Sequence, residues 1–280
     1  MKEFYRRTLT GAWIVIFILG GFWLHPVTFC LTGLVIMSGI LYEYYRIING
    51  SGTRVQTVTG MVTGIAVYLL SILIAAGLLE YRFFLLVIPL IAMIMTAELY
   101  RRDEKPFDSL AHTFFGLIYA VVPFSLFPFS AFSRSGIKPI IPCESIDFSP
   151  GMVVGFFILL WINDTGAYLT GMTMGKHRLM ERISPKKSWE GFIGGTVLTA
   201  LTASLLSSRL GILDSAGWVV VALIVAISGT YGDLIESMLK RSTGIKDSGS
   251  IMPGHGGFMD RFDSTMLAFP LVFLFISLFG

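Results

Sequence analysis

Long apolar runs alternate with short polar stretches along the whole chain. Each run approaches the roughly 20 residues that a helix needs to cross a hydrocarbon core. The pattern predicts nine membrane-spanning helices, at 8–25, 27–48, 57–79, 83–100, 109–130, 151–173, 189–208, 216–239 and 263–280. The expected fold is therefore all-α: a polytopic integral membrane protein. Five spans make an N-terminal region, 1–150, and four make a C-terminal region, 151–280, that holds the candidate chemistry. Pro89 and Pro123 lie within apolar runs and predict kinked helices. Lys2, Arg6 and Arg7 precede the first run as they would in a signal peptide. No small-residue cleavage site follows, so the run is read as a retained span.

Composition agrees with this reading. The chain has 280 residues, of which 54% are hydrophobic and 14% charged. A soluble domain carries about a quarter charged residues, which excludes a soluble globular protein. The net charge of +3 is uninformative in sum, but its distribution sets the topology. With the N-terminus cytoplasmic, 17 of the 21 Lys and Arg fall on the inner side, leaving Arg82, Arg134, Lys138 and Arg209 outside. Basic residues concentrate on the cytoplasmic side of membrane proteins, so the C-terminus is expected outside. Cys30 and Cys143 are read as two unpaired small residues rather than a disulfide.

The first half offers little chemistry. Glu43, Glu80 and Glu98 lie near span ends and read as interfacial or packing residues. Arg101 to Lys105 reads as a solvated turn near lipid headgroups, and 131–150 receives no role.

Polar residues crowd instead into two inner stretches of the second half, 163–191 and 230–263. Asp233, Glu236, Ser237 and Lys240 fall at i, i+3, i+4 and i+7, so they share one helix face. Asp260 and Asp263 are three apart where the last helix begins. Asn163 and Asp164 sit inside an apolar run, where a carboxylate is costly and by default functional or paired. Asp164, Asp233, Asp260 and Asp263 are expected to converge on a cavity open to the cytoplasm. Carboxylates suit a hard cation such as Mg²⁺, and basic residues suit phosphate. Together they suit a metal-bridged polyphosphate. Glycines 254, 256 and 257 would let backbone N–H groups approach phosphate oxygens. The chemistry indicated is phosphoryl or nucleotidyl transfer at a membrane surface. Loops 174–188 and 242–259 are polar enough to close over such a substrate.

Plainer roles stand beside each of these. Lys240 would neutralise Asp233, and Arg261 or Lys246 would pair with Asp260 and Asp263. Lys186 and Lys187 would mark topology, and His255 would belong to a turn. Asp164 would serve assembly, and Glu190 would open a helix. Their joint occurrence on one side of the membrane favours a site.

The stretch Ser237 to Asp263 reads S-M-L-K-R-S-T-G-I-K-D-S-G-S-I-M-P-G-H-G-G-F-M-D-R-F-D. It resembles the signature of the phosphatidate cytidylyltransferases, with every charged position of that pattern present. Met252 stands where the family usually has Leu, Ile or Phe. The stretch from Asp164 through Ser184-Pro185-Lys186-Lys187-Ser188-Trp189-Glu190-Gly191 is also similar, with Ser188 where Thr is common. The resemblance is strong over about 160–265 and amounts elsewhere to a shared multi-span layout.

What the resemblance implies is a reaction of CTP with phosphatidic acid to give CDP-diacylglycerol and pyrophosphate. It implies Mg²⁺, with K⁺ as a second cation, and Asp233, Asp260 and Asp263 at the metal centre. Lys240, Arg241, Lys246 and Arg261 are then assigned to phosphates, with Lys186 and Lys187 next. His255 would hydrogen-bond a phosphate oxygen, and Ser237 would offer a hydroxyl. Asp247 joins the catalytic group, and Asp164, Gly256 and Gly257 join the substrate-binding group. The expected location is the cytoplasmic (inner) membrane, with the bilayer as partner and no nucleic acid. Oligomeric state stays open, a homo-oligomer included. A CTP-dependent lipid kinase of the dolichol or phytol type is the alternative enzyme. A transporter is the alternative from another class, although no internal repeat of that kind is present.

Overall fold

The computed structural model describes residues 2–132, 148–249 and 256–279, and most of them are helical. α1 (Lys2–Trp23) and α2 (Pro26–Gly50) meet at a turn in which the His25 ring accepts the Val27 N–H at 3.1 Å. Pro26 opens α2, where a missing N–H breaks no intrahelical bond. α3 (Thr57–Ala75) follows, then a 3-10 turn (Tyr81–Leu86) running into α4 (Val87–Arg101). α5 (Pro106–Gly116), a π-helical turn (Leu117–Val121), α6 (Val122–Ser125) and α7 (Phe127–Ala131) make one further crossing. The wide π turn lies just before Pro123, the position expected to kink, and absorbs the clash of the proline ring with the preceding turn. Pro89 lies in the first turn of α4, where it disrupts no ladder.

The second half begins with α8 (Gly151–Met174). A short antiparallel hairpin then interrupts the helices, β1 (Arg178–Met180) and β2 (Ser184–Ser188). It occupies much of the stretch expected as a loop. α9 (Trp189–Leu210), α10 (Ser215–Ser242) and α11 (Met259–Phe279) complete the chain. Side-chain caps start two of them. Ser188 accepts the Gly191 N–H at 3.1 Å, and Asp214 accepts the Gly217 N–H at 2.7 Å.

Among the described residues, eight helical stretches are long and apolar enough to cross a membrane. They are Pro26–Gly50, Thr57–Ala75, Tyr81–Arg101, Pro106–Ala131, Gly151–Met174, Trp189–Leu210, Ser215–Ser242 and Met259–Phe279. The first expected span, 8–25, falls on α1, which is not among the eight. Large apolar side chains stand exposed along these helices, among them Leu69, Ile88, Leu99, Leu201 and Leu205. On a soluble protein such a surface would aggregate; here it matches lipid. The chain is a multi-pass membrane protein.

Two compact units divide the chain, Met1–Ser149 with Asp247–Arg261, and Pro150–Lys246 with Phe262–Gly280. Residues 247–249 and 256–261, assigned from sequence to the C-terminal region, thus pack with the N-terminal helices.

The first unit buries aromatic rings. Phe22 meets Phe29 and Phe127 edge-on, at 5.1 and 5.6 Å between centroids, and Tyr44, Tyr45 and Tyr68 are wholly enclosed. It also holds a buried polar knot. Glu98 accepts from Arg101 at 2.9 Å, from Gln56 at 2.5 Å and from Ser109 at 3.3 Å. Arg101 also donates to the Arg54 carbonyl at 2.8 Å, tying the 51–56 loop to α4 and α5. Arg101 therefore turns inward, whereas the sequence placed it in a solvated turn. A carboxylate buried as Glu98 is requires such partners.

In the second unit α8 and α9 pack through small residues. A Cβ on Gly166 would lie 3.1 Å from the Gly195 Cα, and one on Gly171 would lie 3.6 Å from the Gly191 Cα. Small residues let membrane helices approach closely where no hydrophobic driving force separates helix from lipid. Phe156 against Phe269 (5.1 Å) and the enclosed Trp218 fill the remaining core.

Candidate active site

α10 and α11 bring the first carboxylates together. The close approach is at Gly232, where a Cβ would lie 2.8 Å from the Asp263 carbonyl oxygen and 3.0 Å from the Ser264 Cα. Only glycine permits that contact, and it sets Asp233 beside Asp263. One turn further along α10 is Glu236, on the same face. Asp233, Glu236 and Asp263 each offer a carboxylate oxygen, and these oxygens lie within 4.8 Å of one another. Glu236 is fully buried. Asp164, on α8, belongs to the same unit but not to this group of oxygens.

Two lysines flank the cluster. Lys187 Nζ lies 2.7 Å from Asp233 Oδ2 and donates to the Thr230 carbonyl at 3.3 Å. Lys240 Nζ lies 2.5 Å from Glu236 Oε2, one helical turn away. Ser237 donates to Asp233 Oδ1 at 3.2 Å. The alternation of β2 selects Lys187 over its neighbour, since adjacent strand side chains face opposite ways, and Lys186 is exposed. Three carboxylates this close repel one another, and two ammonium groups offset only two of their charges. An all-oxygen donor set with residual negative charge fits a hard divalent cation.

Asp260 is placed in the first unit with different partners. Its Oδ2 accepts the Ser248 N–H at 3.0 Å, the Ser248 hydroxyl at 2.8 Å and the Gly257 N–H at 2.8 Å. Of the carboxylates expected at the metal centre, Asp233 and Asp263 therefore share a cluster within one unit. Asp260 organises the loop that precedes α11. The Gly257 N–H, expected to face phosphate, donates to Asp260. Gly256 turns the chain at φ 81°. Arg241, Lys246, Asp247 and Arg261 are all exposed, at the end of α10 and around the loop. His255 lies outside the described residues, as does Cys143.

Sequence reasoning missed two acidic residues. Glu236 was legible as sharing a face with Asp233 but received no metal role. Glu43 was read as an interfacial or packing residue, yet it is fully buried, accepts the Met259 N–H at 2.9 Å and lies 3.1 Å from Ser248 Oγ. Nothing local distinguishes Glu43, because its partners lie more than 200 residues away. Glu190 does more than open a helix. It accepts the Lys176 and His177 N–H groups and the His177 ring at 2.6 Å, closing the base of the hairpin. An open cleft beside it is lined by Lys176, His177, Arg178, Glu181, Trp189 and Glu190, and none of the clustered carboxylates lines that cleft.

Comparison with known proteins places this arrangement. The sequence model of the cytidylyltransferase family matches residues 5–279. A phosphatidate cytidylyltransferase of Staphylococcus aureus is 48% identical over 118 residues. Those of Staphylococcus saprophyticus and Staphylococcus epidermidis are each 46% identical over 118 residues. Each alignment covers 41% of this chain and 45% of the relative, so the chain spans less than half the length of the curated relatives it matches. With the family's pattern running through nearly every helix, the chain belongs to the cytidylyltransferase family.

Proposed function

We propose that this protein is a phosphatidate cytidylyltransferase, transferring the cytidylyl group of CTP to phosphatidic acid. A lipid phosphate oxygen attacks the α-phosphorus of CTP. The new P–O bond forms as the bond to the β-phosphate breaks, giving CDP-diacylglycerol and pyrophosphate. One observation carries the reading: the Asp233–Glu236–Asp263 cluster, flanked by Lys187 and Lys240 at the polar end of a membrane helix.

The nucleophile needs little activation, because a phosphate monoester is already anionic near neutral pH. The barrier is the approach of one polyanion to another. Asp233, Glu236 and Asp263 would hold Mg²⁺, with K⁺ as the second cation that the resemblance implies. When bound, the metal offsets phosphate charge and favours departure of pyrophosphate. Lys187 and Lys240 hold the Asp233 and Glu236 carboxylates in place and leave the site less negative towards CTP. Arg241, Lys246 and Arg261 are exposed cations suited to phosphate oxygens. In this reading nine helices cross the inner membrane, α1 among them, with the N-terminus cytoplasmic and the cluster at the cytoplasmic surface.

The test uses detergent-purified protein, phosphatidic acid, Mg²⁺ and CTP labelled at the α-phosphate. The expected result is label in extractable lipid, abolished by EDTA. Lipid label only from γ-labelled CTP would replace the reading with a lipid kinase. Label from neither would remove both.

A further inference from the structure

A two-stranded hairpin is marginally stable by itself in water, so β1 and β2 need an outside anchor. Glu190 supplies one. It follows β2, in the first turn of α9, and reaches back to residues just before β1. Its Oε2 accepts the Lys176 N–H at 3.1 Å. Its Oε1 accepts the His177 N–H at 3.2 Å and lies 2.6 Å from His177 Nδ1. The Trp189 N–H donates to the His177 carbonyl at 2.9 Å, next to the strand pair Arg178–Ser188. The hairpin, Glu190 and α10 all belong to one compact unit.

An acid in the first turn of a helix usually needs no further reason, because it offsets the helix dipole. Here Ser188 already caps α9 through the Gly191 N–H. Glu190 reaches instead across the base of the hairpin. The consequence falls on β2. Neighbouring strand residues face opposite ways, so a slip of one residue would exchange Lys187 for Lys186. In the observed register Lys187 Nζ meets Asp233 Oδ2 at 2.7 Å, and Lys186 is exposed. The strand pairing is irregular between Arg178 and Met180, so the ladder alone holds that register weakly.

We infer that Glu190, with His177, is a positioning residue that fixes the hairpin register and so selects Lys187 rather than Lys186 as the cation facing Asp233. Both carboxylate oxygens accept. Replacing the carboxylate by an amide therefore sets an NH2 group against N–H donors at one of the two positions. The inference rests on the proposed activity for its kinetic arm only.

The experiment compares Glu190→Gln, Lys187→Met and the double variant in detergent. The first readout needs no turnover: brief acylation by an amine-reactive ester, with Lys186 and Lys187 scored separately by mass spectrometry. In the wild type, Lys186 should be acylated well ahead of Lys187, whose ammonium is paired. In folded Glu190→Gln the two should be acylated equally. The second readout is turnover. Glu190→Gln should lower kcat by up to the roughly tenfold expected of Lys187→Met, and should cause no further loss in the double variant. An unchanged ratio of the two lysines, with only a lower melting temperature, would assign Glu190 to stability and overturn the inference. Equal acylation in the wild type, or losses of turnover that multiply in the double variant, would also overturn it. If Glu190→Gln does not fold, His177→Phe, which removes the ring contact alone, decides by the same criteria. A wild type that transfers no cytidylyl group fails the activity reading, and the acylation ratio still tests the register.

Discussion

The Lys187 ammonium lies 2.7 Å from the Asp233 carboxylate, joining β2 to α10. Both side chains are partly exposed, so the pair contributes at most about 1 kcal/mol to stability. Its value is in position. Lys187→Met should leave the melting temperature nearly unchanged and lower turnover about tenfold or more, as expected for a residue that orients a metal-site carboxylate. Equal losses of stability and turnover would reduce Lys187 to a structural tether.

Asp263→Asn and Asp233→Asn test the cluster itself. Residues that merely support metal ligands cost about 10- to 100-fold when replaced, so a ligand should cost at least the upper figure. Initial rates across a Mg²⁺ titration should fall by about 100-fold or more in each variant. Glu236→Gln should follow the same course. Near-normal rates in Glu236→Gln would restrict the metal to the two aspartates.

Gly232→Ala places a methyl group against backbone atoms of α11, which have no rotamer through which to yield. Overpacking of this kind costs about 1–3 kcal/mol. The variant should melt lower and lose activity, because displacing α11 moves Asp263 from Asp233. An active variant of normal stability would show that the two helices part without consequence.

Arg101→Ala removes the cation from the buried Glu98 while leaving the acid in place. Breaking a buried pair from one side costs about 3–5 kcal/mol, and the partial exposure of Arg101 favours the lower figure. Thermal or denaturant unfolding in detergent would report it. Catalysis per folded molecule should be retained, since the knot lies among α3, α4 and α5.

Much of this architecture is readable from local pattern. Apolar runs locate the helices because a spanning segment must satisfy its own backbone, and helical spacing alone aligns Asp233, Glu236, Ser237 and Lys240. The pattern fails where distant parts of the chain meet. Glu43 joins Ser248 and Met259 across separations of 205 and 216 residues, and no periodicity records that contact. Arg101 reads as a surface charge because its partners Glu98, Ser109 and the Arg54 carbonyl come together only after α3, α4 and α5 pack. Asp260 and Asp263 look equivalent in the sequence, three residues apart. Ser248 and Gly257 hold one of them, while α10 meets the other.

The length of α10 carries a last consequence. The helix has 28 residues and begins at Ser215. At 1.5 Å per residue, Asp233 stands about 27 Å along it. That distance is close to the roughly 30 Å depth of an average hydrocarbon core. The carboxylate cluster is thereby held at a fixed height, like a mark on a gauge. A thicker bilayer would draw it below the headgroups and force the helix to tilt or the lipid to thin. Acyl-chain length in the host membrane would then act on this protein through the depth at which the carboxylate cluster sits.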